Sequence, residues 1–143
     1  FNNWEMKGVP VRIEIGPRDV EKKQVVMVRR DTGEKIIVKE KEIKNKFKEL
    51  LKEIQENLFN NAKKFLDSNI IKTDNLEGLK KAIKNKKIAF VPWCGCSHCE
   101  GKLKDKTSGA KSLNIPFNQK KLNKKCIGCK SKAEHYTYFA KSY

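Results

Sequence analysis

No run of apolar residues in this 143-residue sequence approaches the length of a membrane span, and the N-terminus lacks the apolar core of a secretory signal. Acidic residues are scarce: 17 Asp and Glu stand against 33 Lys and Arg, a formal net charge of +16. Apolar residues reach only 38%, which suits one good core, or one core with a small stapled module. There is no internal repeat. The chain opens on Phe1 without an initiator Met, and is read as a piece of something longer or as a processed product. The cysteines number five, an odd count in close pairs with no signal peptide. That argues against a disulfide framework and for a reduced compartment and a metal.

The charge excess favours a polyanion, because releasing counter-ions drives such a surface onto nucleic acid. Part of the lysine content also fits the compositional drift of AT-rich codons. A membrane surface suits the chain less well, since its basic helix uses the apolar face as core.

Phe1 to about Lys39 reads as strands. In "VPVRIEIGP", Val9, Val11, Ile13 and Ile15 alternate with Pro10, Arg12 and Glu14, the period of a strand with one apolar face. Gly16-Pro17 predicts a closing turn. "QVVMVRR" and "KIIVK" predict further strands around the turn at Asp31–Gly33. This is too little for a closed sheet, and the missing neighbours are expected upstream of Phe1. From about Glu40 to Leu66, apolar residues at spacings of three and four (Ile43, Phe47, Leu50, Ile54, Leu58) predict one long helix packing on that sheet, with pairs such as Glu49–Lys52 on its solvated face. A second helix follows Thr73-Asp74, with Asp74 and Glu77 as a capping box and Leu76, Leu79, Ala82 and Ile83 as its inner face. "KIAFVPW" predicts a buried strand, and "EHYTYFAKSY" a last one. The polar stretch at 67–73 is taken as the boundary.

"WCGCSHCEG" and "CIGC" supply two thiolate pairs on turns, the donor set of a tetrahedral structural Zn2+ site. Four thiolates leave no open position, so the site is expected to be structural and not catalytic. Gly95 and Gly128 stand where knuckle turns need a relaxed backbone. Spacing alone pairs Cys96 with Cys99, matching Cys126 and Cys129; Cys94 with Cys99 is also open. His98 and His135 are minor candidates as ligands.

"WEMKGVPVRIEIGPRDVEKKQVVMVRRDTGEK" resembles the anticodon-binding domain of prolyl-tRNA synthetases of the archaeal/eukaryote-like type. "CGCSHCE", "GAKSLNIPF", "CIGC" and the final "YFAKSY" extend the resemblance from Trp4 to Tyr143. It implies an α/β fold: part of a mixed-sheet anticodon-binding domain with a long packing helix over 1–70, then a small α+β zinc-binding domain over 71–143. It implies a cytoplasmic homodimer when full length, attaching proline to tRNA(Pro) with ATP and Mg2+ through a catalytic core that this segment lacks. The family's first knuckle, C-G-x-x-x-C-E, selects Cys94, Gly95, Cys99 and Glu100, so the implied zinc ligands are Cys94, Cys99, Cys126 and Cys129, with Cys96 as the spare. By motif position the resemblance carries tRNA contacts onto Glu5, Arg12, Arg18 and Lys35, though position does not separate Lys35 from Arg29 or Arg30. The terminal carboxylate of Tyr143 is expected near the active site of the full-length relative. The competing expectation is a free-standing zinc-ribbon module on RNA or DNA, acting by charge without catalysis.

Overall fold

A computed structural model of the chain describes residues 1–119 and 122–141; Tyr143, and with it the expectation for its carboxylate, lies outside the described residues. The architecture is mixed α/β and divides into two compact units, Phe1–Lys64 and Phe65–Tyr143.

In the first unit, helix α1 (Asn2–Met6) precedes strand β1 (Val11–Glu14), and helix α2 (Pro17–Glu21) leads into strands β2 (Gln24–Arg29) and β3 (Lys35–Lys39). Gly16-Pro17 does not merely end β1. Pro17, with φ preset for a helix, opens α2, while the Asp19 carboxylate accepts the Gly16 N–H at 3.0 Å. The strands form an antiparallel sheet in the order β1-β2-β3. A turn with Gly33 at φ +74° joins β2 to β3, where Arg29 and Glu34 close the hairpin. A short 3-10 turn, Glu40–Glu42, then starts helix α3 (Ile43–Ser68).

Facing residues of paired strands share a sheet face. Val11, Met27, Val25 and Val38 lie on the face that packs with Leu50 and Ile54 of α3, with Phe47 and Ile43 at the margin. The apolar face of β1 is incompletely covered: Val11 is buried, whereas Ile13 on this edge strand is 43% exposed and Ile15, just beyond the strand, is 62% exposed. The apolar stripe of α3 is likewise buried only in its first half; Leu58, Phe65 and Leu66 are exposed. On its polar face Glu49 pairs with Lys46 at 2.9 Å, the other i,i+3 neighbour from the one expected.

The second unit is built on a sheet in the order β4-β5-β7-β6. Strands β4 (Ile70–Lys72) and β5 (Ile88–Trp93) run parallel, which requires a crossover, and helix α4 (Leu76–Lys84) provides it. Helix α5 (Ser97–Lys106) and the short strand β6 (Ala110–Ser112) follow, and β7 (His135–Lys141) pairs antiparallel with both β5 and β6. The core gathers Leu79, Ala82, Val91, Trp93, Leu103 and Phe139. Phe90 stacks on Tyr138 and Tyr136, at ring separations of 4.5 and 4.9 Å.

Two local expectations change. Asn75, not Asp74, caps α4: its side-chain oxygen accepts the Gly78 N–H at 2.8 Å. Asp74 instead accepts from the Tyr136 hydroxyl at 2.7 Å and from Lys124 at 2.8 Å, joining α4's entry to β7 and the second cysteine loop. Those two donors hold the Asp74 carboxyl below its ordinary range, and burial with the Asp74 charge pushes the Tyr136 phenol up to about 12.

Candidate functional site

Two groups of side chains carry chemistry beyond packing. The first is a sulfur cluster. Cys94 leaves the end of β5, Gly95 turns the chain at φ +75°, and Cys96 is the N-cap of α5, which places Cys99 in that helix's first turn. The second loop is closed by Cys126 N–H to the Ser131 carbonyl and Lys130 N–H to the Cys126 carbonyl, which carries Cys126 and Cys129 around a tight turn. Gly128 suits that turn: a side-chain carbon at 128 would clash with Cys99 Sγ unless that sulfur moved. Its own N–H points at Cys126 Sγ at 3.4 Å.

The Sγ atoms of Cys94, Cys99, Cys126 and Cys129 all lie within 4.8 Å of one another. Cys99–Cys126 and Cys94–Cys129 are 3.5 and 3.7 Å apart, close to the ~3.8 Å edge of a tetrahedron of sulfurs about 2.3 Å from a central Zn2+. Cys96, His98 and His135 are outside the cluster, and Cys96 and His98 are exposed. The sulfur geometry therefore groups Cys94, and not Cys96, with Cys99, Cys126 and Cys129. Burial and neighbouring sulfurs push the Cys94 and Cys99 thiols up, whereas hydrogen bonds from Ser131 pull Cys129 down to about 6. Four crowded sulfurs resist joint ionisation; a divalent cation among them reverses that balance. Glu100, the residue after Cys99, accepts from Ser112 N–H at 2.8 Å and Ser112 Oγ at 2.6 Å, so it ties α5 to β6.

The second group lies on the face of the first sheet opposite α3. The register places Arg12, Val28 and Lys35 in one row across β1, β2 and β3, with Glu14 on the same face. Glu5 Oε1 meets Arg12 Nη1 at 2.7 Å, Arg12 Nε donates to Glu14 Oε1 at 2.9 Å, and Lys35 Nζ stands 3.7 Å from Glu14 Oε2. The Arg12 guanidinium also covers the Phe1 ring at 4.2 Å. Beside this ladder is a cavity of about 350 Å3 lined by Phe1, Trp4, Glu5, Val9, Arg12 and Arg30 among others.

Three of the four residues expected to touch RNA are thus joined in one network, with Glu14 as the link that motif position did not single out. Arg18, in the first turn of α2, is not part of it. Arg29 is committed elsewhere. It grips both oxygens of Asp31 at 3.1 and 2.9 Å and Glu53 of α3 at 2.8 Å, and Asn57 donates to Asp31 at 2.7 Å. That cage holds the Asp31 carboxyl down at about 2, the Arg29 hydrogen bonds being the largest cause.

Comparison with known proteins gives the family of both units. The family model described as "Anticodon binding domain" matches residues 1–50, and "Prolyl-tRNA synthetase, C-terminal" matches residues 76–143. Over its whole length the chain is 42% identical to the bifunctional glutamate/proline–tRNA ligase of Cricetulus griseus and 45% identical to proline–tRNA ligase 2 of a Bacillus cereus strain. The chain belongs to the prolyl-tRNA synthetase family. It corresponds to the anticodon-binding and C-terminal domains of the archaeal/eukaryote-like prolyl-tRNA synthetases. The crystal structure of the Cryptosporidium parvum prolyl-tRNA synthetase superposes with a TM-score of 0.90 at 38% identity, covering 99% of this chain and 30% of that one. This prolyl-tRNA synthetase segment spans 10% of the hamster protein and 30% of the bacterial one.

Proposed function

We propose that this segment reads tRNA(Pro) for a proline–tRNA ligase whose catalytic core, with its ATP, Mg2+ and proline sites, lies outside the chain. The observation that carries the reading is the Glu5–Arg12–Glu14–Lys35 ladder beside the aromatic-lined cavity. A splayed loop base needs a ring or apolar wall to rest on and charged groups at its edge, and both are present. Guanine offers acceptors to Arg12 or Lys35 and an N–H edge to Glu5, so the ladder would exchange its internal ion pairs for base contacts. Arg30, exposed at the cavity's rim, joins Lys35 as a candidate, and Arg18 takes a backbone phosphate.

Cys94, Cys99, Cys126 and Cys129 hold a structural Zn2+, a role that the sulfur spacing and the all-thiolate donor set support. The bound ion supplies charge neutralisation and a cross-link, and the protein's own contribution is the pair of turns. The full-length protein would work as a cytoplasmic homodimer.

Arg12→Ala in the full-length protein tests the reading. The expected result is a tRNA KM raised, or kcat/KM for tRNA lowered, by tenfold or more, about the 1–3 kcal/mol of one bidentate base contact. ATP–proline exchange should stay at the unmutated rate. Equal damage to exchange would remove the anticodon role.

A further inference from the structure

The second unit has a groove of about 680 Å3 that the cysteine cluster does not use. Its walls come from the last turn of α4, the turn into β5, the end of α5 and the end of β7. Lys80, Lys84, Lys86, Lys87, Lys106 and Lys141 line it, and among the described residues no acidic or aromatic side chain does. Lys87 donates to the Ser68 carbonyl at 2.9 Å and Lys80 pairs with Glu77 at 3.0 Å. The other four lysines have no ion-pair partner among the described residues. A lysine in a helix's last turn offsets the helix dipole, which accounts for Lys84 and Lys106. It does not account for Lys86, beyond the helix end, or for Lys141 on a strand.

Like charges converging on a concave surface without a carboxylate repel one another until an anion arrives. The lining also states which anion. With Ile83 and Ile88 in the lining and no ring among its described residues, the groove offers amines for phosphate and little that reads a base edge. We propose that this groove binds backbone phosphates of tRNA, a charge-only contact carried by residues other than the base-reading ladder. It rests on the reading of the chain as a tRNA-binding segment.

The test uses the full-length protein and tRNA(Pro) binding over a salt series. The triple change Lys84→Gln, Lys106→Gln and Lys141→Gln should make the slope of log Kd against log salt shallower by about two to three. Affinity at low salt should fall tenfold or more, with discrimination against an anticodon-altered tRNA retained. Arg at the same three positions should keep the original slope. An unchanged slope overturns the proposal, as does an equal loss from Lys44→Gln, Lys48→Gln and Lys52→Gln on α3, which would reduce the effect to general charge. On the unmutated protein, tRNA should protect Lys84, Lys86, Lys106 and Lys141 from acetic anhydride, and inorganic pyrophosphate at equal phosphate concentration should not. Equal protection by pyrophosphate makes the groove a small-anion site and overturns the RNA assignment. If the groove variant is neutral while Arg12→Ala weakens tRNA use, only the groove proposal fails; if the unmutated protein binds no tRNA, both fail.

Discussion

Position 128 carries a constraint that chemistry alone does not show. A methyl there collides with Cys99 Sγ, one of the four clustered sulfurs. Gly128→Ala should therefore cost metal as effectively as losing a ligand, whereas Cys96→Ser, at an exposed thiol outside the cluster, should leave one equivalent of zinc bound in metal analysis. Retained zinc in the Gly128 variant, or lost zinc in the Cys96 variant, would reverse the ligand assignment. Asp31 gives a second residue-scale test. Its carboxyl sits at about 2 in the fold, against an ordinary value near ~3.9. A depressed carboxyl stabilises the fold above its unfolded value and loses that contribution as pH falls through the folded one. Its side chain is only 1% exposed, so the contribution is on the order of 2 kcal/mol. Denaturant unfolding should lose that amount for the unmutated protein between about pH 5 and 2 and should be flatter over the same window for Asp31→Asn.

Among the elements, α4 and α5 show what local pattern can and cannot reveal. The inner face of α4 repeats at three and four residues, and Leu79, Ala82 and Ile83 are indeed buried. Its cap was misplaced by one residue because Asp74 and Asn75 are both good caps, and the choice is made by Lys124 and Tyr136, 50 and 62 residues away. Asn75→Ala should accordingly cost about 1 kcal/mol in an unfolding titration. Helix α5 has little sequence signature, because its buried stripe is only Cys99 and Leu103, and one of those reads as a metal ligand. The short strand β4 hid inside the stretch taken as a polar boundary, since only three residues pair. On α3 the apolar period was plain, but periodicity does not say which turns meet the sheet. Leu50→Ala, at a fully buried site, should cost about 2–5 kcal/mol. Leu58→Ala, 42% exposed, should cost well under half as much in the same experiment. The family motif picks out the same four cysteines that the fold clusters, whereas the lysine groove has no sequence signature, because the ends of α4, α5 and β7 and the turn into β5 meet only in the tertiary structure.

At the scale of the whole molecule, the two hydrophobic cores share no residue: one runs from Val11 to Ile54, the other from Leu79 to Phe139. All four clustered cysteines belong to the second unit, and Cys99 and Cys126 are part of its core. Metal binding in such a site is coupled to folding, because the crowded thiolates are tolerable only around a cation. Removing the metal with a chelator at neutral pH should therefore act on one unit alone. In hydrogen-exchange mass spectrometry of the full-length protein, peptides covering β5, α5 and the 126–129 loop should lose protection. Peptides covering β2 and the first half of α3, held by Met27, Val25, Leu50 and the Arg29–Asp31–Glu53 cage, should exchange as before. Loss of protection in both sets would mean that the cores fold as one cooperative body despite their separate residues. Loss in neither would mean that hydrophobic packing around Leu103, Ile127 and Phe139 holds the second unit without the ion, and the zinc would then have to matter for something other than the fold.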